Sequence, residues 1–207
     1  MTAAIAQGSH GVPPGHSMEG PAPKRIVVGF GFWIFLLSDI VMFSAFFATY
    51  EVLARATSGG PGGAQLFHMD MVAAETACLL LSSFLCGLMQ LSINVEDRRG
   101  TYIRGAATFL LGAAFLGLEI HEFMGMVAQG ATPERSAFLS GFFTLVGCHG
   151  AHVTIGLIWL AVMMAQVRAK GFSLFVHHRL LCFSLFWHAL YIIWVALFSI
   201  VYLMGMR

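Results

Sequence analysis

Five long apolar stretches constrain this chain more than any other feature of its sequence. Each exceeds the roughly 20 residues that a helix needs to cross about 30 Å of hydrocarbon. The predicted spans are residues 26–50, 69–93, 102–127, 137–166 and 180–205. A lipid core offers no water to backbone N–H and C=O groups, so spans of this composition are expected to be helical. The sequence therefore predicts an all-α integral membrane bundle of five transmembrane helices, formed by residues 26–207.

Little of the chain remains outside the spans. Residues 1–25 are rich in Gly, Pro, Ala and Ser, and we expect a flexible tail because such a segment buries little apolar surface. The composition, 58% hydrophobic and 10% charged, excludes a soluble domain of useful size. A net charge of +1 argues against a nucleic-acid partner.

The distribution of basic residues predicts the orientation of the spans. One side of the membrane receives the N-terminal tail and the second and fourth loops. That side holds Lys24, Arg25, Arg98, Arg99, Arg104, Arg168, Lys170 and Arg179. Because cytoplasmic loops are enriched in Lys and Arg, we expect a cytoplasmic N-terminus and a periplasmic C-terminus. Tyr50 and Tyr202 are then expected in the outer aromatic belt.

Small residues recur at intervals of four along the third span. Ala113, Gly117 and Gly125 fall on one face together with His121. Small residues let helix backbones approach closely, and van der Waals contact drives helix association in lipid. The pattern predicts that this face of the third span packs against another helix.

Several ionisable residues interrupt the spans at depths where each costs roughly 2.5–3.5 kcal/mol on insertion scales. The candidates for a buried polar network or for a lipid cleft are Asp39, Glu75, Glu119, Glu122, His149, His152 and His188. Residues at such depth normally face a bundle interior or a partner. We assign none of them a catalytic, cofactor-binding or metal-ligating role.

Three functions fit such a set of residues. The favoured one is structural, in which hydrogen bonds between histidines and carboxylates fix which helices are neighbours. A membrane b-type haem protein is a second. A haem between helices needs two histidines at one depth in the membrane, and His121 with His149 is the pair that this requirement excludes least easily. A proton-coupled transporter is a third, although the spans show no internal repeat and no proline.

Four motifs resemble subunit III of haem-copper terminal oxidases. The run Gly147-Cys148-His149-Gly150-Ala151-His152-Val153 resembles the Gly-x-His-Gly-x-His-Val signature of that family. Ser38-Asp39, Glu119-Ile120-His121-Glu122 and Trp187-His188 resemble further family motifs and follow in the same order. The similarity covers residues from about 28 to the end. One departure is Tyr191, which stands where the family usually has an aspartate.

Within the family, the chain is most similar to the quinol oxidase branch. That branch has five spans, whereas cytochrome c oxidase members carry two more helices, and Asp39 stands where the latter tend to have glutamate. The alternative is a cytochrome c oxidase subunit III.

The resemblance implies a non-catalytic subunit of a proton-pumping, ubiquinol-oxidising complex of the respiratory chain, in the bacterial inner membrane. Its role there would be to support assembly, lipid binding and sustained turnover. Oxidase subunits I, II and IV and membrane lipids are the implied partners. The resemblance further implies haems and copper in the largest subunit, no cofactor on this chain, and bound phospholipid.

Overall fold

The structure, a computed structural model, describes residues 24–54, 56–57 and 69–203. These residues form five α-helices: α1 (Lys24–Leu53), α2 (Met69–Asn94), α3 (Arg98–Ala128), α4 (Ala137–Lys170) and α5 (Leu174–Leu197), the last continued by a π-helical turn (Phe198–Leu203). All five are long and apolar enough to cross a membrane, which confirms, for the residues described, the prediction of an all-α fold with five helices of that length and composition. The predicted tail falls largely on residues 1–23, outside the described residues, and its last two residues begin α1.

Serine caps fix where α4 and α5 begin. The Ser136 hydroxyl accepts a hydrogen bond from the Leu139 backbone N–H (3.2 Å), and that of Ser173 accepts one from Val176 (3.4 Å). Such caps satisfy backbone donors that have no partner within the helix. α4 ends at Gly171, whose φ of 64° is readily reached by glycine. The polar cap explains why α5 begins six residues before the apolar run at residue 180.

Buried residues repeat every seven positions along α2 and α3. On α2 the row is Val72, Glu75, Leu79, Ser82, Cys86, Met89 and Ile93. On α3 it is Thr101, Gly105, Thr108, Gly112, Phe115, Glu119, Glu122 and Met126. Alternating steps of three and four are the spacing of left-handed helix pairs, in which each side chain fits between those of the facing helix. Glycine, serine, threonine and glutamate share these rows with large apolar residues, so neither size nor polarity alone marks the packing face.

One tryptophan connects four helices at the centre of the bundle. The indole of Trp187 on α5 lies so close to Gly112 and Gly156 that a Cβ at either glycine would approach it within 3 Å. Its Nε1–H donates to the Ser82 hydroxyl on α2 (3.0 Å), which donates in turn to the Thr108 carbonyl on α3 (3.1 Å). α2, α3, α4 and α5 therefore form one packed unit.

α1 lies at the periphery of that unit and packs on α4 and α5. Its fully buried side chains are Leu36, Phe43 and Tyr50, spaced seven residues apart on one line. Most of its remaining large apolar side chains are exposed, which is the arrangement expected of a helix that faces lipid or a partner subunit. α1 is thus attached along a single stripe.

The small-residue face predicted on α3 is not the face that packs within this chain. No described atom beyond the immediate chain neighbours comes within 4 Å of a Cβ built at Gly117 or Gly125, and His121 is exposed. The glycines in close contact are Gly105 and Gly112, seven residues apart. Steps of four drift around the helix, whereas steps of seven stay close to one face. The prediction was therefore wrong for Gly117, His121 and Gly125, whereas Ala113 packs against the core.

The expected positions of two tyrosines were also wrong. Tyr50 is 1% exposed and Tyr202 is fully buried, so neither side chain reaches a lipid-facing aromatic belt. Tyr50 packs against Phe138, with ring centroids 5.9 Å apart. An aromatic residue near a helix end can lie at the membrane interface or pack in the protein interior. The sequence alone does not distinguish these two positions.

Candidate functional site

Three of the predicted carboxyl groups lie together inside the bundle. Glu75 on α2 is fully buried, and Glu119 and Glu122 on α3 are 2% and 6% exposed. They are close enough to interact electrostatically, because the two heptad rows that carry them face each other. The Tyr202 hydroxyl, from the π-helical turn after α5, donates to Oε2 of Glu122 (3.2 Å). The cluster therefore connects α2, α3 and the end of α5.

His149 of α4 lies in an aromatic enclosure. Its ring centroid is 5.2 Å from that of Trp194, with the planes tilted by 32°, and Phe115 and Phe43 meet it edge-on at 5.8 and 6.4 Å. The imidazole is fully buried. The Trp194 Nε1–H donates to the Thr76 hydroxyl (3.1 Å), directly after Glu75 in sequence. These contacts join the histidine to α2 through one indole.

The backbone of α4 also meets the cluster directly. The Glu119 carboxyl lies over Gly150, and a Cβ built there would be 2.6 Å from Oε1 and 2.9 Å from Oε2. A side chain at this position would displace the Glu119 carboxyl group from its place over the α4 backbone. Gly150, which belongs to the Gly-x-His-Gly-x-His-Val run, thus lets α3 and α4 approach each other beside His149.

Asp39 and His152 form a separate group where α1 meets α4. The imidazole of His152 lies 5.4 Å from the Phe43 ring and interacts electrostatically with the half-buried Asp39 carboxyl. Nδ1 of His152 is 2.7 Å from the Cys148 carbonyl, so it carries the proton and donates, since a carbonyl only accepts. This group belongs to the attachment of α1.

His188 stands apart from both groups, on the side of α5 that faces α2. Its Nδ1 is 2.7 Å from the Ser184 carbonyl, and a Cβ built at Gly87 would lie 3.8 Å from its Nε2. The seven candidates therefore divide into the carboxyl cluster with His149, the pair on α1 and α4, and His188 alone.

The two histidines that depth left open as a haem pair, His121 and His149, do not come together. Aromatic rings fill the space around His149, and His121 is exposed, so the pair left open by depth does not form. His152 faces α1 and His188 faces α2. Among residues 24–54, 56–57 and 69–203 no group of three His, Cys, Asp or Glu side chains could hold a metal ion.

The sequence analysis missed the neutral partners of these groups. Tyr202 hydrogen-bonds to Glu122 and Ser82 to Trp187, both singled out in the sequence, and Thr76 accepts from Trp194. The available signal was the seven-residue spacing, since Ser82 follows Glu75 by seven positions and Trp194 follows Trp187 by seven. Hydroxyl groups are common in membrane helices, so their presence alone did not single them out.

Comparison with known proteins places this bundle in a family. The family model for cytochrome c oxidase subunit III matches residues 20–206. The chain therefore belongs to the cytochrome c oxidase subunit III family. The predicted identity as a subunit III of an oxidase complex and the predicted location as a multi-pass protein of the bacterial inner membrane are confirmed.

Individual relatives refine the assignment. Cytochrome bo(3) ubiquinol oxidase subunit 3 of Pseudomonas aeruginosa is 50% identical over 176 residues, which cover 85% of this chain and 84% of the relative. Quinol oxidase subunit 3 of Bacillus subtilis is 43% identical, over 85% of this chain and 86% of its own. Cytochrome c oxidase subunit 3 of Bacillus sp. is 42% identical, with 85% of both chains covered.

Proposed function

We propose that this chain is the non-catalytic subunit III of a proton-pumping haem-copper quinol oxidase. The observation that carries the proposal is the 50% identity, over 85% of the chain, to a ubiquinol oxidase subunit 3. The similarity to a cytochrome c oxidase subunit 3 is lower, at 42% over the same share, which favours the quinol branch over that alternative.

The work of this subunit is to present a rigid helical surface to its neighbours. Haems and copper supply electron transfer and dioxygen reduction, and we place them in the largest subunit. On this chain, the facing rows of α2 and α3, the Glu119 carboxyl packed over Gly150 and the His149 ring among its aromatic neighbours hold α2, α3 and α4 together. The packing of His152 on Phe43 holds α1 on α4. Such contacts add roughly 1 kcal/mol each but determine which helix faces which.

Partners and lipids follow from the exposed surfaces. Subunits I, II and IV of the complex are the proposed protein partners. α1 contributes a long apolar surface on either side of its single packed stripe, which includes Trp33 and Val41, both more than half exposed. Phospholipid chains that fill the space beside α1 would bury this surface.

The proposed orientation places the N-terminus and residues 1–25 in the cytoplasm and the C-terminus in the periplasm. Basic residues near the ends of the helices support it: Arg98, Arg99, Arg168 and Lys170 all lie on the proposed inner side. Positive charge in short loops is retained on the cytoplasmic side during insertion.

Alanine at His149 or Glu119 tests the structural role. His149→Ala leaves a cavity among three aromatic rings, and Glu119→Ala leaves one over Gly150 of α4, so each is expected to cost about 1–3 kcal/mol. We expect less of the chain to co-purify with the complex and a faster decline of quinol oxidase activity during turnover. The haem absorption bands should be unchanged.

His121→Ala is the matched control, because it removes a polar side chain two positions from Glu119 on the exposed side of the same helix. It should leave assembly unchanged. Loss of a haem band in a fully assembled Glu119→Ala or His149→Ala complex would contradict the proposal. A Soret band from the chain expressed alone would favour an independent haem protein, and transport by vesicles that contain this chain alone would favour a transporter.

A further inference from the structure

A groove between α2 and α5 is mostly apolar, and three of its lining side chains, Ser83, His188 and Tyr191, carry polar atoms. This α2–α5 groove has a volume of about 500 Å³. Its lining includes Leu80, Phe84, Gly87, Leu91, His188 and Tyr191. Leu80, Phe84 and Leu91 are 47%, 63% and 59% exposed, so the walls are apolar and face outward. The volume falls within the roughly 300–1,000 Å³ of pockets that bind small molecules.

The hydrogen bond to Ser184 determines which nitrogen of His188 faces this groove as an acceptor. The Ser184 carbonyl can only accept, so the proton of the neutral imidazole is on Nδ1. Nε2, which faces Gly87, therefore presents a lone pair. Within the described part of the chain no N–H or O–H group donates to it. The groove thus contains an acceptor to which neither of its two lining hydroxyl groups, on Ser83 and Tyr191, donates.

The depth of His188 restricts where that donor comes from. The ends of α2 and α5 meet on the proposed inner side, where His177 and Asn94 are hydrogen-bonded (3.1 Å). His188 lies eleven residues further along α5, about 16 Å at 1.5 Å per residue. Phospholipid headgroups do not reach this depth, and acyl chains have no donor. A lipid-soluble molecule with its own hydroxyl group would supply such a donor at this depth.

We infer that the α2–α5 groove binds a quinol whose hydroxyl group donates a hydrogen bond to Nε2 of His188. A quinol combines an apolar ring with two O–H groups and enters from the bilayer. The absence of a side chain at Gly87 leaves room for the ring, and Tyr191, where the family usually has an aspartate, keeps the wall uncharged and aromatic. The oxidised quinone has carbonyl groups only and cannot donate, so it binds more weakly. This inference rests on the proposed quinol oxidase function.

Two other lateral grooves serve as internal controls. The α3–α4 groove, of about 390 Å³, includes Tyr102, Leu110 and Met164, and its tyrosine hydroxyl already donates to the Met164 carbonyl (3.2 Å). A third groove, of about 440 Å³, is lined by apolar residues such as Met124 and Phe143. Both resemble the α2–α5 groove in size and apolar character but lack its acceptor.

Photo-cross-linking on the intact complex in lipid nanodiscs tests the inference. A quinol with a diazirine on its tail is added without oxygen, either reduced or oxidised, and the labelled peptides are mapped by mass spectrometry. Peptides of α2 and α5 around Gly87 and His188 should be labelled by the reduced probe, and about 5-fold less by the oxidised one, which is the loss of one hydrogen bond of about 1 kcal/mol.

Two variants change the proposed binding site, and a third, in another groove, is the control. His188→Leu removes the acceptor, and Gly87→Ala adds a methyl group in ordinary van der Waals contact with His188, at the place where the ligand oxygen would lie. Each should lower labelling by the reduced probe about 5-fold. Leu110→Ala changes the α3–α4 groove and should have no effect on this labelling.

Equal labelling of all three grooves, or equal labelling by both forms of the probe, would overturn the inference. Cross-links from the groove to a partner helix, with no labelling by the probe, would show that protein covers it and would overturn it too. Steady-state quinol oxidation by the same preparation reports separately on the proposed function. Active oxidase with an unlabelled groove would refute the inference alone, and an assembled complex that fails to oxidise quinol would refute the proposed function.

Discussion

Replacing Gly112 by alanine adds one methyl group at the contact between α3, α4 and α5. A Cβ built there lies 2.9 Å from Cδ2 of Leu157 and 2.9 Å from Cζ2 of Trp187. Carbon atoms pack at about 3.5–4.0 Å, so each contact is short by at least about 0.6 Å. The indole has little freedom to withdraw, because Gly156 lies close to it and Ser82 accepts its N–H.

Two opposing contributions determine how far Gly112→Ala changes the free energy of unfolding. Overpacking of this kind costs about 1–3 kcal/mol, and alanine returns up to about 1 kcal/mol over glycine in a helix. If the indole shifts instead, it loses its bond to Ser82, which adds about 1 kcal/mol. We therefore expect Gly112→Ala to lower the free energy of unfolding by about 1–2 kcal/mol.

Gly117→Ala is the matched control for that prediction. It makes the same chemical change on the same helix, but no described atom beyond the chain neighbours lies within 4 Å of the added Cβ. Unfolding in mixed micelles, followed by tryptophan fluorescence as sodium dodecyl sulfate is added, measures both variants. The reasoning is refuted if Gly117→Ala destabilises the chain as much as Gly112→Ala, since the four-residue stripe would then be the packing face.

Two further predictions concern the indole and the orientation. Trp187→Phe removes the donor to Ser82 and leaves a smaller ring, so the same titration should show a loss of about 1–3 kcal/mol; an unchanged midpoint would contradict the central role of this side chain. A membrane-impermeant maleimide added to intact cells should label Gln129→Cys, in the proposed outer loop, and should leave Ser9→Cys unlabelled. Labelling of Ser9→Cys alone would reverse the orientation.

The sequence predicted the helices well because the bilayer imposes a simple rule on them. A segment that satisfies its own backbone hydrogen bonds and is apolar over about 20 residues is recognisable without tertiary information. The packing faces were less predictable. In a soluble helix the buried face is the apolar one, but on α3 the buried row contains Gly112 and Glu119, while Leu110 and Met124 are exposed.

The candidate site shows the same division. The sequence indicated Glu119, His149 and His188 because an ionisable residue in a span is costly and therefore conspicuous. It did not indicate that Tyr202 bonds to Glu122, since that contact joins residues eighty positions apart. Nor did it show that His188 faces away from the carboxyl cluster.

The amino-acid order alone determined that the chain crosses the membrane five times as helices, and its motifs resembled those of one family of oxidase subunits. Only the tertiary structure decided which side of each helix is inside, because lipid and protein interior are equally apolar and contact between shapes makes the difference. The packing of the helices encloses His149 in aromatic rings and leaves Nε2 of His188 facing an apolar groove.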